Sequence, residues 1–243
     1  MPESPPLIFS PRRKALQGER ARRLQTRPNA ASYLLADIAE DVTERLAFLR
    51  HMPNRSLIIG DIAGLIEVRG MESHAAFDLE SPWPVTGFDL IVAALALDTA
   101  NDLPGALIHL RGALAPGGLA LVTMLGAGSL PMLREIMLEA DGERPAPRIH
   151  PQVDVRSGAQ LLQRAGFSDP VTDSRGLDVR YRSLSSLVGD LRAQSLGNAL
   201  HQRGPALGRN AYKRALNSFS ARADSAGRVT EHFELLTLSG WRR

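Results

Sequence analysis

The chain has 243 residues, 44% hydrophobic, 5% aromatic and 23% charged, with a formal net charge of +3. This is the composition of an ordinary globular protein with an aliphatic core, and the length suits one α/β domain with a helical accessory part. With no cysteine, disulfides, thiolate nucleophiles and zinc–cysteine sites are excluded.

No apolar run reaches the ~18 residues that cross a bilayer. The opening segment MPESPPLIFS has no basic region followed by an apolar stretch. A soluble, unprocessed, cytoplasmic protein without a transmembrane segment is therefore expected. Much of the positive charge sits early, in Arg12, Arg13, Lys14, Arg20, Arg22, Arg23 and Arg27. Such a block attracts an anionic membrane surface or an acidic partner, although a solvated helix face is its commoner use. No basic–aromatic interleaving supports nucleic-acid binding.

In chain order, a short basic helix is predicted over 11–24. A second follows over 30–51, with Leu34, Leu35, Ile38, Val42, Leu46 and Leu49 at three- and four-residue spacings and Asn29 as N-cap. Residues 56–60 read as a buried strand ending in a turn. Residues 61–87 hold no sustained helical period and read as loop with one or two short strands. The almost continuously apolar FDLIVAALAL over 88–97 suits a parallel strand covered on both faces.

Asn101 or Asp102 then caps a helix to Leu114, with Pro104 in its first turn. A Pro116-Gly117-Gly118 turn leads to a strand over 119–125. Strand, helix, turn and strand make a βαβ unit, hence parallel pairing. Beyond it, helices are predicted from Ser129 to 140, over 155–165 with Gly166 as closure, over 185–200 and over 208–221. Strands are predicted over 171–181 and 229–241.

Four stretches, IFSPRRKALQGERAR, FDLIVAALALDTANDLPGAL, LRGALAPGGLALVTMLG and VDVRSGAQLLQRAGF, with the distal DVRYRSLSSLVGDLRAQSLGNAL, carry a resemblance. They resemble the class I S-adenosylmethionine (SAM)-dependent methyltransferases, in the branch of the mitochondrial complex I assembly factor and the biotin-pathway malonyl-carrier methyltransferase. The resemblance implies a Rossmann-like, seven-stranded α/β sheet with helices on both faces and SAM across the carboxyl ends of its first strands, where ligands of open α/β sheets sit. On that reading 1–243 is one domain, with N-terminal helices over 1–54, a core sheet over 55–126 and distal helices and strands over 127–243.

The pocket departs from the family pattern. The family has an acidic residue in its first strand and a Gly-x-Gly-x-Gly turn, where backbone amides approach the cofactor. In LIIGDIAGLI, Gly60 and Gly64 hold the outer glycine positions, Ile62 the middle one and Ile58 the acidic one. Two glycines four apart also describe a plain tight turn. Only 61–87 separates Gly60 from Phe88, too short for two strands of ~5 residues and two helices of ~11. At least one βα unit must be missing or collapsed, and Glu67 is the acidic residue nearest the expected ribose position.

In FDLESPWP, the resemblance implies that Asp78 meets the adenine amino group and that Leu79 lines the ring. A loop-capping carboxylate is the alternative for Asp78. Where the family often has a His-Trp pair, this chain has Asp98-Thr99. His51, His74, His109, His150, His201 and His232 show no metal-binding spacing and read as structural or exposed, so no metal is expected. Glu40, Asp41 and Glu44 read as a solvated helix face.

The expectation is a methyltransferase-family protein with a reduced SAM site, a non-catalytic, assembly or scaffold type that self-associates or binds a protein partner. The alternative is an active SAM-dependent methyltransferase, or a protein-arginine hydroxylase-like enzyme. No catalytic residue is assigned.

Overall fold

The computed structural model describes residues 7–74 and 76–243. The reading of an unprocessed start rests partly on residues 1–6, outside that range. Two helices, α1 (Pro11–Gln25) and α2 (Tyr33–Leu49), precede the sheet. Then come β1 (Ser56–Ile59), β2 (Met71–Glu72), β3 (Phe88–Ala94), α3 (Leu103–Ala113), β4 (Leu114–Leu125), α4 (Pro131–Asp141), α5 (Val155–Arg164), β5 (Ser168–Tyr181), α6 (Leu184–Ala193), α7 (Arg209–Ala221) and β6 (Val229–Trp241).

The sheet order is β2-β1-β3-β4-β6-β5, with β6 antiparallel to both neighbours and the first four strands mutually parallel. This is the expected Rossmann-like sheet, with six strands among the described residues instead of seven. Strand alternation builds two cores. Leu90, Val92 and Ala94 of β3, with Leu119 and Leu121 of β4, face α2, α4, α6 and α7. Ile91 and Ala93, with Ala120 and Val122, face α3 and α5. A strand buried on both faces must be apolar throughout, which is why FDLIVAALAL shows no alternation.

Several expected boundaries shift for local reasons. The Pro116-Gly117-Gly118 turn is absorbed into an irregular start of β4, where Gly117 (φ 82°) donates its N–H to Arg242 O. Ser129 does not cap α4. It is hydrogen-bonded to the backbone of Glu234 at 2.9 and 3.1 Å, and α4 begins after Leu130 in the left-handed region. The buried Glu231 of β6 caps that helix instead, accepting from the N–H of Leu133 at 2.8 Å and of Met132 at 3.2 Å. Asn29 does not cap α2, which follows Ser32.

Asp41 is not on a solvated face. It accepts from Arg45 Nε at 2.7 Å, and Arg45 also pairs with Asp173, while Arg175 pairs with Asp37 at 2.7 Å. The apolar stripe of α2 sets its distance from the sheet, and these charges fasten it to β5.

Candidate functional site

The carboxyl end of β1 turns sharply at Gly60. Its φ is +86°, and a Cβ there would lie 2.1 Å from the carbonyl oxygen of Ala94 and 2.9 Å from the Cβ of Ala96. The glycine is thus required by the protein's own backbone at the end of β3. Gly64 also has positive φ (67°), but a Cβ there would meet open space. Between them Ile62 N–H donates to Gly60 O at 2.8 Å, and Asp61 Oδ2 accepts from Ile66 N–H at 2.6 Å. Ile66 is buried in the α2-facing core, with Ile62, Ala63 and Val68 packed around it.

The next strand stops short. β2 pairs Met71 with Ser56 and Glu72 with Leu57, so it ends halfway along β1. The Glu72 carboxylate takes both Arg55 Nε at 2.6 Å and Arg55 Nη2 at 3.0 Å. That guanidinium belongs to the residue preceding β1, at the end of the sheet opposite the expected cofactor. The arginine draws the Glu72 pKa below the usual carboxylate range. Glu67, the sequence candidate for this role, is an exposed loop residue.

Asp78 is exposed, and its two oxygens accept from Ser81 Oγ at 2.7 Å and Glu80 N–H at 3.0 Å. The Ser81 hydroxyl, then the Glu80 amide, hold its pKa below the ordinary value. Such bonding to the chain two and three residues on makes a loop-capping carboxylate. Leu79 is half-buried against the α3-facing core. The neighbouring Glu80 does more for the fold. Its Oε2 accepts from the N–H of Asn101 at 2.8 Å and of Asp102 at 2.9 Å, while Oε1 meets Lys14 Nζ at 3.1 Å. Asp102 itself is the N-cap of α3, accepting from Gly105 N–H at 2.9 Å.

At the carboxyl ends of β3 and β4 lies a cavity of about 360 Å³, and none of Gly60, Gly64, Asp78 or Leu79 lines it. Its walls are mostly apolar, from α4, α6 and the segment 148–153, with Ile8 and Phe9 of the N-terminal segment closing one side. That segment is pinned to the body. Asn101 Oδ1 accepts from Phe9 N–H at 2.7 Å, Ser10 N–H donates to Ala199 O at 2.9 Å and His201 N–H donates to Ile8 O at 2.7 Å.

Asp98 and His150 are the acid and the imidazole of the cavity lining, beside Arg148, Arg192 and Arg203. Asp98 Oδ1 accepts from Leu125 N–H at 2.7 Å, whereas Oδ2 is buried without a partner among the described residues, although the residue as a whole is partly exposed. Desolvation pushes its pKa up to about 6. His150 Nε2 accepts from Ala199 N–H at 2.7 Å, which leaves the proton on Nδ1 of a neutral ring. Burial lowers its pKa to about 4.

In the sequence, Asp98 stands out only as the residue at the position where the family has histidine. The available signal was a lone carboxylate at the end of a long apolar run. Among the described residues no group of acidic, histidine or cysteine side chains could hold a metal. No helix there is long and apolar enough to cross a membrane.

No family model matches the chain. The rat and human mitochondrial arginine-hydroxylase NDUFAF5 are each 30% identical to it over 165 residues, 66% of this chain and 48% of theirs. The malonyl-[acyl-carrier protein] O-methyltransferase of Xylella fastidiosa (strain M23) is 30% identical over 154 residues, 63% of this chain and 51% of that protein. The chain is similar to enzymes of the class I methyltransferase superfamily.

It spans about half the length of these curated relatives. Among solved structures, a putative methyltransferase from Bacillus halodurans C-125 aligns over 82% of this chain and 97% of its own, with 10% identity and a TM-score of 0.49. Against that likeness, the notable geometry is that Gly60 is closed in by the protein's own backbone, while the cavity lies beyond the ends of β3 and β4.

Proposed function

We propose that this chain is a single methyltransferase-like domain over 1–243 with a reduced SAM site, a non-catalytic, assembly or scaffold-type protein that docks with a second copy or another protein. The observation that carries this reading is the register of β2. With Glu72 opposite Leu57 and bound to Arg55, no acidic side chain of that strand stands at the carboxyl edge to hold a ribose. The residues present do not fit SAM. The 60–68 turn fills its own space with Ile62, Ala63 and Ile66, and taking the charged amino-acid end of SAM out of water without paired groups is costly.

Docking is supported by the outer edge of the sheet. A two-residue β2 leaves half of β1 without a neighbour on that side, and unpaired strand edges invite pairing. Phe48 (87% exposed) and Met52 (73%) lie in the stretch that leads into β1, and Met71 of β2 is also exposed.

A second reading is an active enzyme, a SAM-dependent methyltransferase or an arginine hydroxylase-like protein. The cavity at the strand ends and the enzyme names of the relatives favour it. Gly60, Gly64, Asp78 and Leu79 would then contact SAM. Attachment to an anionic membrane through the α1 arginines is compatible with either.

Light scattering across micromolar concentrations tests the docking part. We expect a concentration-dependent mass above one chain that the Phe48→Asp and Met52→Asp substitutions return to the monomer. A wild-type monomer at every concentration would remove self-association from the reading.

A further inference from the structure

Beyond the cofactor site, the cavity at the ends of β3 and β4 has chemistry of its own. Its apolar wall includes Leu103, Leu133, Met137 and Leu191. Asp98 sits in that wall with one carboxylate oxygen committed to Leu125 N–H and the other without a partner. A buried acceptor left unpaired is costly, and a ligand hydroxyl would satisfy it. The lining also holds the exposed Arg192 and Arg203, neither in an ion pair among the described residues, and Arg148, which is paired with Asp141. Arg203 also borders a second cleft with Arg12, Arg13 and Arg20.

The volume, about 360 Å³, falls in the lower range of small-molecule pockets. An apolar wall takes a hydrocarbon body, a single inner acceptor takes one donor, and a guanidinium rim takes an anion.

We propose that this cavity binds a small amphipathic organic anion, a hydroxylated medium-chain carboxylate or phosphate ester whose hydroxyl donates to the Asp98 carboxylate after its unpaired oxygen turns into the cavity, and whose anionic end meets Arg203 and Arg192. The ligand enters with its chain first, and the pinned Ile8–Phe9 segment covers one side. Such a site stands whether or not SAM binds, since none of the residues aligned with the cofactor motif lines it.

The test is calorimetric titration of the full chain with 10-hydroxydecanoate and decanoate, on wild type, Asp98→Leu and Arg192→Glu/Arg203→Glu, each first shown to melt cooperatively. Wild type should prefer the hydroxy acid about tenfold, as one buried hydrogen bond to a charged acceptor implies. Asp98→Leu should abolish that preference while keeping decanoate binding. The arginine variant, altered only at exposed positions, should weaken both acids about tenfold. Failure of wild type to bind either acid at millimolar concentration overturns the proposal, as does a hydroxyl preference that survives Asp98→Leu. Arginine-dependent binding to phosphatidylglycerol vesicles with no binding of the free acids would assign the arginines to a lipid surface and also overturn it.

Discussion

Glu72 and Arg55 form a bidentate pair, Oε1 to Nε at 2.6 Å and Oε2 to Nη2 at 3.0 Å, across the first two strands of the sheet. The pair fixes where β2 begins and turns the only acidic side chain of that strand towards the amino-terminal edge. Because both groups are exposed, Glu72→Ala should barely move the melting temperature. It should also leave any nucleoside affinity unchanged. A loss of SAM affinity in that variant would show that the carboxylate serves a cofactor.

The two glycines of the turn should behave differently. Gly60→Ala meets the Ala94 carbonyl and a left-handed backbone together, so a loss of about 3 kcal/mol in urea unfolding is expected. Gly64→Ala meets only the backbone term, about 1 kcal/mol. Equal effects at the two positions would mean that Gly60 does not pack against β3 as described.

Glu80 ties three elements, accepting from two amides at the start of α3 and pairing with Lys14 of α1. Glu80→Ala should cost about 2 kcal/mol by leaving those amides unpaired, and Glu80→Gln should recover part of it. Chemical denaturation of the two variants checks this. An alanine variant as stable as wild type would contradict the capping role.

The Asp98 carboxyl, raised to about 6, binds a proton more readily in the folded chain than in the unfolded one. Its contribution is therefore fully present below the ordinary aspartate value near pH ~4 and is lost as pH rises to about 6. The loss is of the order of 3 kcal/mol. Asp98→Asn should be more stable than wild type at pH 7, with the gap closing as pH falls through that window. Carboxylates elsewhere, such as Glu231, titrate alike in both proteins and cancel in the difference. A gap that does not change with pH would place Asp98 in water.

Much of the fold was legible in the sequence because its signals are local. Pro104 and Asp102 announce α3, Gly166 closes α5, and FDLIVAALAL can satisfy its burial only as a central strand. The short span from Gly60 to Phe88 already required a missing or collapsed βα unit, and the described residues there form no helix. What could not be read depends on partners distant in the chain. Ser129 looks like a cap until β6 brings Glu234 beside it, and Glu231 caps α4 from 98 positions away from Leu133. Asp41 looks solvated until β5 presents Asp173, which holds the Arg45 that covers it. At the site, Asp78 and Gly60 were identifiable by motif, but their bonds to their own loops, and the cavity around Asp98, follow only from the packed structure.

Calorimetric titration of the full chain with SAM and with S-adenosylhomocysteine tests the central claim most directly. The account predicts no heat of binding for either at millimolar ligand, with the protein folded throughout. Micromolar binding that is abolished by Asp78→Ala would contradict it and favour an active SAM-dependent enzyme.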